Sequence, residues 1–306
     1  MEDVATRFHA RLREGPLVLD GATGTELERR GGDWALPLWS ARALLERPDL
    51  VVAIHADYVA AGADIIVANT FRTNPRTLQG AGRAADGPKL AAAAVEHARR
   101  AAAGHDVFVA ASVAPVEDCY CPERVPADDV LRAEHAQLAT WLAAAAPDFV
   151  CIETMNTARE AGIAAEAIRA QGLPFSVSFV VDEGGNLLGG DTLEAGVVAV
   201  RPCDPLAIGL NCIPPRGLTG LLPRLRLATT KPLAAYAHIG NQVPIRGWTF
   251  AEEMTPEQYA DAAGDWLALG VSVIGGCCGT TPAHIHAVSE RVHARRRTND
   301  RSRRDV

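Results

Sequence analysis

The sequence predicts an α/β protein, a single (β/α)8 TIM barrel with its active site at the C-terminal ends of the strands. Three observations carry that prediction. Eight short apolar runs, each bounded by Gly, Pro or Asp, recur through the 306 residues. Ala- and Leu-rich stretches of helical periodicity alternate with them. Neither a G-x-G-x-x-G after the first run nor a G-x-x-x-x-G-K-[ST] occurs, which argues against an open doubly wound nucleotide-binding sheet. Continuous apolar strands alternating with helices imply a parallel sheet covered on both faces, and eight such units in about 300 residues match a barrel in count and size.

The strands follow in order. PLVLDG (16–21), ADIIVANTF (63–71), VFVAASVAP (107–115) and PDFVCIET (147–154) make the first half. PFSVSFVVD (174–182), PLAIGLNC (205–212), KPLAAYAHIG (231–240) and VSVIGGCCG (271–279) make the second. Helices are predicted over 48–62, 89–104, 130–146, 157–172, 256–270 and 282–297, several of them closing on Gly as helix C-termini often do. DEGGNLLGGD (182–191) reads as a hairpin-like excursion after the fifth strand, with Gly-Gly and Gly-Asn as turn signals. Residues 1–290 are expected to form the one barrel domain, and 291–306 a basic, disordered tail.

Composition narrows the function classes. A charged fraction of 22% and a hydrophobic fraction of 48% exclude wholesale disorder, and no run of eighteen apolar residues is present for a membrane span. The first fifteen residues put charges where a signal peptide needs an apolar core, so a cytoplasmic protein with reduced cysteines is expected. Net charge is −7, yet residues 291–306 hold seven arginines against two aspartates, which leaves the other 290 residues at −12. An acidic body is the wrong surface for nucleic acid.

In a barrel of this kind the site is built where the strands end. The first strand ends at Asp20-Gly21, the second at Asn69-Thr70 and the fourth at Glu153-Thr154. The sixth ends at Asn211-Cys212 and the eighth at Cys277-Cys278. Two carboxylates and three cysteines therefore converge on one rim. Of the other cysteines, Cys151 and Cys203 read as packing, and the Cys119-Tyr120-Cys121 triplet lacks a second ligand pair. Neighbouring Cys277 and Cys278 point oppositely in a regular strand, but Gly275, Gly276 and Gly279 permit a backbone that aims both at one point. With Cys212 they would give three protein ligands and an open fourth position, the pattern of a catalytic zinc. Spacing alone leaves a redox or nucleophilic cysteine, or simple packing, as alternatives.

The motifs DGATGTELERRG (20–31), LWSA (38–41), HADYVAAGADIIVANTF (55–71), IETMNTAREA (152–161), GLNC (209–212) and GGCCGTTPAHI (275–285) resemble those of the zinc-dependent homocysteine S-methyltransferases. They span most of the chain, and their arrangement is most similar to the short, single-domain members that use S-methylmethionine or S-adenosylmethionine. The resemblance implies that Cys212, Cys277 and Cys278 hold Zn2+. It also implies that Asp20, Gly21 and Glu153 hold the amino-acid head of L-homocysteine, with Thr70 as a further substrate contact. The expected reaction is methyl transfer from a small sulfonium donor to the homocysteine thiol, a methionine-forming step that needs neither nucleic acid nor membrane. Betaine-like or methyl-corrinoid donors are the runner-up reading, and a metal-free cysteine hydrolase or redox barrel a more distant one. Residues 236–250, where the resemblance would place donor choice, match no single donor motif.

Overall fold

The computed structural model describes residues 3–32, 34–243, 247–249 and 254–304. Ten strands occur among them: β1 (Leu17–Val18), β2 (Ile65–Ala68), β3 (Phe108–Val113), β4 (Phe149–Met155), β5 (Phe175–Phe179), β6 (Ile208–Asn211), β7 (Leu233–Ala237), β8 (Asn241–Val243), β9 (Gly247–Thr249) and β10 (Val271–Gly276). Eight of them form one parallel sheet in the order β1-β10-β7-β6-β5-β4-β3-β2. A parallel bridge between Leu19 and Ile65 joins its two ends, so the sheet closes as the barrel expected from the eight apolar runs. β8 and β9 pair with each other as a separate antiparallel hairpin after β7. The excursion after β5 is also present, with antiparallel bridges Val181–Leu187 and Asn186–Thr192.

The six predicted helices appear as Pro48–Ala60, Gly87–Ala102, Asp128–Ala145, Ala158–Ala170, Pro256–Ala268 and Pro282–Arg304. Four of them stop two residues before the glycines at 62, 104, 172 and 270. Three more long enough to pack lie outside the predicted set: Val4–Glu14, Leu193–Val200 and Pro215–Ala228, the last with Pro223 inside it. The apolar residues divide into two main layers. Leu17, Leu19, Ile65, Phe108, Ala110, Phe149, Cys151, Ala234 and Val273 fill the barrel interior, while the larger cluster lies between strands and helices.

Val4–Glu14 closes the N-terminal end of the barrel. Its one fully buried side chain, Phe8, packs against Phe149 and Phe108 with ring centroids 5.6 and 6.0 Å apart. Arg11 of the same helix pairs with Asp64 at 2.6 Å, and Asp64 also accepts the Val18 amide at 2.9 Å. The last helix spans Pro282–Arg304 and so continues beyond residue 290. Val292 is buried, Arg291 pairs with Asp261, and Arg296 reaches both the Pro16 carbonyl and Asp64. These contacts carry the helix past 290: its arginines find carboxylates and carbonyls on neighbouring elements. Among the described residues no helix is long and apolar enough to cross a membrane.

Candidate metal and substrate site

The strand ends converge as expected. The sulfurs of Cys212, Cys277 and Cys278 lie within 4.8 Å of one another, close enough to share one metal ion. Three local devices bring them together. Cys212 follows β6 with a left-handed φ of 53°, which turns its side chain off the strand direction, while its amide stays bonded to the Tyr236 carbonyl. Strain of this kind at a non-glycine residue persists only where the surroundings hold it. Gly275 and Gly276 serve close approach. A Cβ at Gly275 would sit 2.6 Å from Leu19 Cβ, and one at Gly276 would sit 2.2 Å from Thr280 Oγ1. β10 thus lies against the end of β1, and Gly276 N donates to the Asp20 carbonyl at 3.0 Å. The Tyr259 hydroxyl bridges the tops of β7 and β10, 2.8 Å from the Gly275 carbonyl and 3.0 Å from that of Ala237.

Burial pushes the three thiols up, but the hydrogen bonds that Cys212 shares with Cys277 and Cys278 outweigh it there and hold that thiol well below its usual range. The other two are pushed up, first by their hydrogen bonds to Cys212 and then by burial and the charge on Cys212. The Tyr120 hydroxyl donates to Cys212 Sγ at 3.1 Å. In the triplet 119–121, then, the tyrosine meets the site. Cys119 is buried beside it and Cys121 is partly exposed, and neither joins the sulfur cluster.

The carboxylates lie in the same cavity, of about 530 Å3, lined among others by Asp20, Gly21, Glu153, Cys212, Cys277 and Cys278. Asp20 is buried and accepts the Val67 amide at 2.8 Å. Burial, augmented by the charge of Glu153, still raises its carboxyl well above the ordinary range. Glu153 accepts a short hydrogen bond from the Ser112 hydroxyl, and burial brings its carboxyl to about 7 despite that bond. Two carboxylates in a low-dielectric site, neither holding a cation among the described residues, suit an incoming ammonium group. Arg159, six residues along the chain from Glu153, pairs with Asp128 at 2.7 Å.

Glu153 is aimed by a break in the ladder: the β4–β5 register slips between Ile152 and Met155. Thr154 takes a φ of 59°, and Asn211 clamps it through two 2.9 Å hydrogen bonds, to the Thr154 amide and hydroxyl. The Asn of GLNC is therefore what ties the carboxylate strand to the cysteine strand. Thr70 is not among the residues lining the cavity. Its hydroxyl donates to the Ser112 carbonyl at 2.8 Å and accepts the Ser112 amide at 2.7 Å, so it is spent on the neighbouring strand beneath the cavity lining.

Residues that motif reading passed over complete the walls. Trp34, Trp39, Phe71, Tyr120 and Tyr236 give the cavity an aromatic lining, with Arg72, Glu28 and Asp118 among them. Trp39 has a φ of 43° and donates from its indole nitrogen to Glu28 at 2.7 Å. Its ring meets Phe71 edge-on with centroids 6.4 Å apart. Trp39 lies in LWSA and Phe71 closes the 55–71 motif, so their positions were visible although their common destination was not.

A family model described as homocysteine S-methyltransferase matches residues 17–292. A selenocysteine Se-methyltransferase of Brassica oleracea var. italica is 30% identical over 312 residues, covering 92% of this chain and 90% of that protein. Homocysteine S-methyltransferase 2 of Arabidopsis thaliana is 29% identical, with 92% and 94% covered. Among solved structures, the metallated form of the homocysteine methyltransferase MmuM from Escherichia coli aligns with a TM-score of 0.79 at 30% identity, over 90% of this chain and 96% of that one.

Proposed function

The chain belongs to the homocysteine S-methyltransferase family, and from that premise we propose that it transfers a methyl group from a sulfonium donor, S-methylmethionine or S-adenosylmethionine, to the thiol of L-homocysteine, forming methionine. The observation that carries this reading is the three-cysteine cluster opening into the same cavity as Asp20 and Glu153.

The donor set fits Zn2+. Three sulfurs with an adjacent cavity match a catalytic site of three protein ligands, and soft thiolates select such a metal. The Cys212–Cys278 separation of 3.7 Å matches the edge, about 3.8 Å, of a tetrahedron with zinc–sulfur bonds of about 2.3 Å. Cys277 lies nearer to Cys212, at 2.7 Å, and would move outward to share an ion. When bound, zinc supplies the acidity that a free thiol lacks, since a pKa of about 8.5 leaves only a few per cent of thiolate at pH 7.

The chain's own residues position the reactants. Asp20 and the Ser112-held Glu153 face the homocysteine ammonium, which fixes the thiol end toward the cysteine cluster. The homocysteine sulfur forms its new bond to the methyl carbon in line as the methyl–sulfonium bond breaks. The electron pair stays on the departing sulfur, so the leaving group is a neutral thioether and needs no general acid. The thiol proton passes to solvent. The aromatic walls around Trp39 and Phe71 suit a cationic donor, because ring faces attract cations by about 0.5–2 kcal/mol each.

Methionine formation measured with a panel of donors (S-methylmethionine, S-adenosylmethionine, betaine and a methyl-corrinoid) tests this reading. Turnover with a sulfonium and homocysteine supports it; turnover with betaine or the corrinoid alone overturns the donor assignment. Full activity after verified metal removal overturns the role of zinc.

A further inference from the structure

Among the residues lining the cavity, Arg72 brings the positive charge, and none of the described hydrogen bonds or ion pairs engages it. Its Nε is buried without a partner, and its guanidinium lies 5.6 Å from the Phe71 ring centroid. Arg76, one turn further along, shows the contrast: it is held by Glu134 at 2.6 Å and Glu117 at 3.1 Å. Nor is Arg72 short of carboxylates in the same cavity. Glu28 is taken by Trp39, Asp118 accepts the Tyr120 amide, and Asp20 and Glu153 face inward at the strand ends. A buried donor left unmade costs about 1–3 kcal/mol, a penalty that a ligand can relieve.

A guanidinium repels both the sulfonium and the ammonium of an amino-acid donor. Its one attractive partner on such a molecule is the carboxylate, which its planar fork matches with two parallel hydrogen bonds. Position separates the two reactants. Asp20 and Glu153 address an ammonium at the floor of the cavity, whereas Arg72 lies four residues beyond the end of β2, on the wall that holds Phe71 and Trp39. We propose that Arg72 binds the α-carboxylate of the methyl donor, which makes it a specificity-determining residue that selects carboxylate-bearing sulfonium compounds. This rests on the sulfonium methyltransferase reading above.

The test compares wild type, Arg72→Ala and Arg72→Lys with S-methylmethionine and with trimethylsulfonium, which lacks a carboxylate, while homocysteine is varied separately. The expected result is a 10- to 100-fold rise in the KM for S-methylmethionine in Arg72→Ala, of the order for a lost charged hydrogen bond of about 1.5–3 kcal/mol. The preference for S-methylmethionine over trimethylsulfonium should collapse with it, and Arg72→Lys should restore part of it. A rise confined to the KM for homocysteine, or no change in either constant, overturns the assignment. If wild type turns over no sulfonium, the functional reading fails by itself. Calorimetry then decides on Arg72: preferential binding of S-methylmethionine over its methyl ester, lost in Arg72→Ala, supports the assignment, and equal binding overturns it.

Discussion

At the N-terminal ends of the strands, Phe8 is wedged between Phe108 and Phe149, and Arg11 and Arg296 converge on Asp64, which in turn holds the Val18 amide. At the C-terminal ends of the same strands, Asp20 and Glu153 are carboxylates raised by burial, Arg72 has no hydrogen-bond or ion-pair partner among the described residues, and Trp39, Thr154 and Cys212 hold left-handed backbone. One end is apolar and paired; the other is polar, strained and open to a cavity. The difference shows which end the chain keeps for stability and which for ligands, as parallel strands with loops at their carboxyl ends allow.

Substitutions at the two ends should fail in different ways. The largest effect is expected at the top. Cys277→Ala or Cys212→Ala should lower the rate of methionine formation by well over the ~100-fold typical of residues that only orient a metal ligand, and metal analysis should show the ion lost. Melting of the metal-free proteins should differ little. At the bottom, Phe8→Ala should lower the unfolding free energy by about 3–5 kcal/mol, read from denaturant curves, with kcat/KM of the folded protein within about twofold of wild type. Lost activity with unchanged stability in Phe8→Ala would break the comparison.

Glu153 sharpens it, because here the top should oppose stability. Its carboxyl lies near 7 in the folded chain against an ordinary 4.5. Between those values the unfolded chain releases the proton and the folded chain keeps it. Stability contributed by this group is therefore full below about pH 4.5 and declines up to about pH 7. Metal-free Glu153→Gln should be more stable than wild type at pH 8 by about 1–3 kcal/mol while its KM for homocysteine rises at least tenfold. Equal stability at pH 8 and pH 4.5 in both proteins would contradict this. The smallest effect belongs to Tyr120→Phe, which removes the hydrogen bond to Cys212: a 10- to 100-fold loss of metal affinity in competition with a chelator, with the fold intact by circular dichroism.

The barrel was legible because each of its strands is an apolar run ended by a turn residue or a polar one. Even β1, only two residues long by its ladder, announced itself as PLVLDG. The first helix escaped notice because RFHARLRE buries just Phe8 and looks like a charged terminus, and Pro215–Ala228 because Pro223 interrupts it. The cysteines were legible because GLNC and GGCCG put them at strand ends. Thr70 shows the limit: position placed it on the rim, but only the structure reveals that its hydroxyl turns to the Ser112 backbone. Arg72 and Tyr120 sit on loops without periodicity, so no pattern foretold which way they face. Of the 236–250 segment, residues 244–246 and 250 lie outside the described residues, as do the side chains from 241 onward.

The central claim is that three cysteines and two carboxylates form one metal-dependent site for a thiol amino acid. Its most direct test is the rate of methionine formation from homocysteine and a sulfonium donor before chelation, after verified removal of the metal, and after one equivalent of Zn2+ is returned. Activity should be lost with the metal and restored by zinc, with the restoration absent in Cys278→Ala. Undiminished turnover by metal-free protein would contradict it.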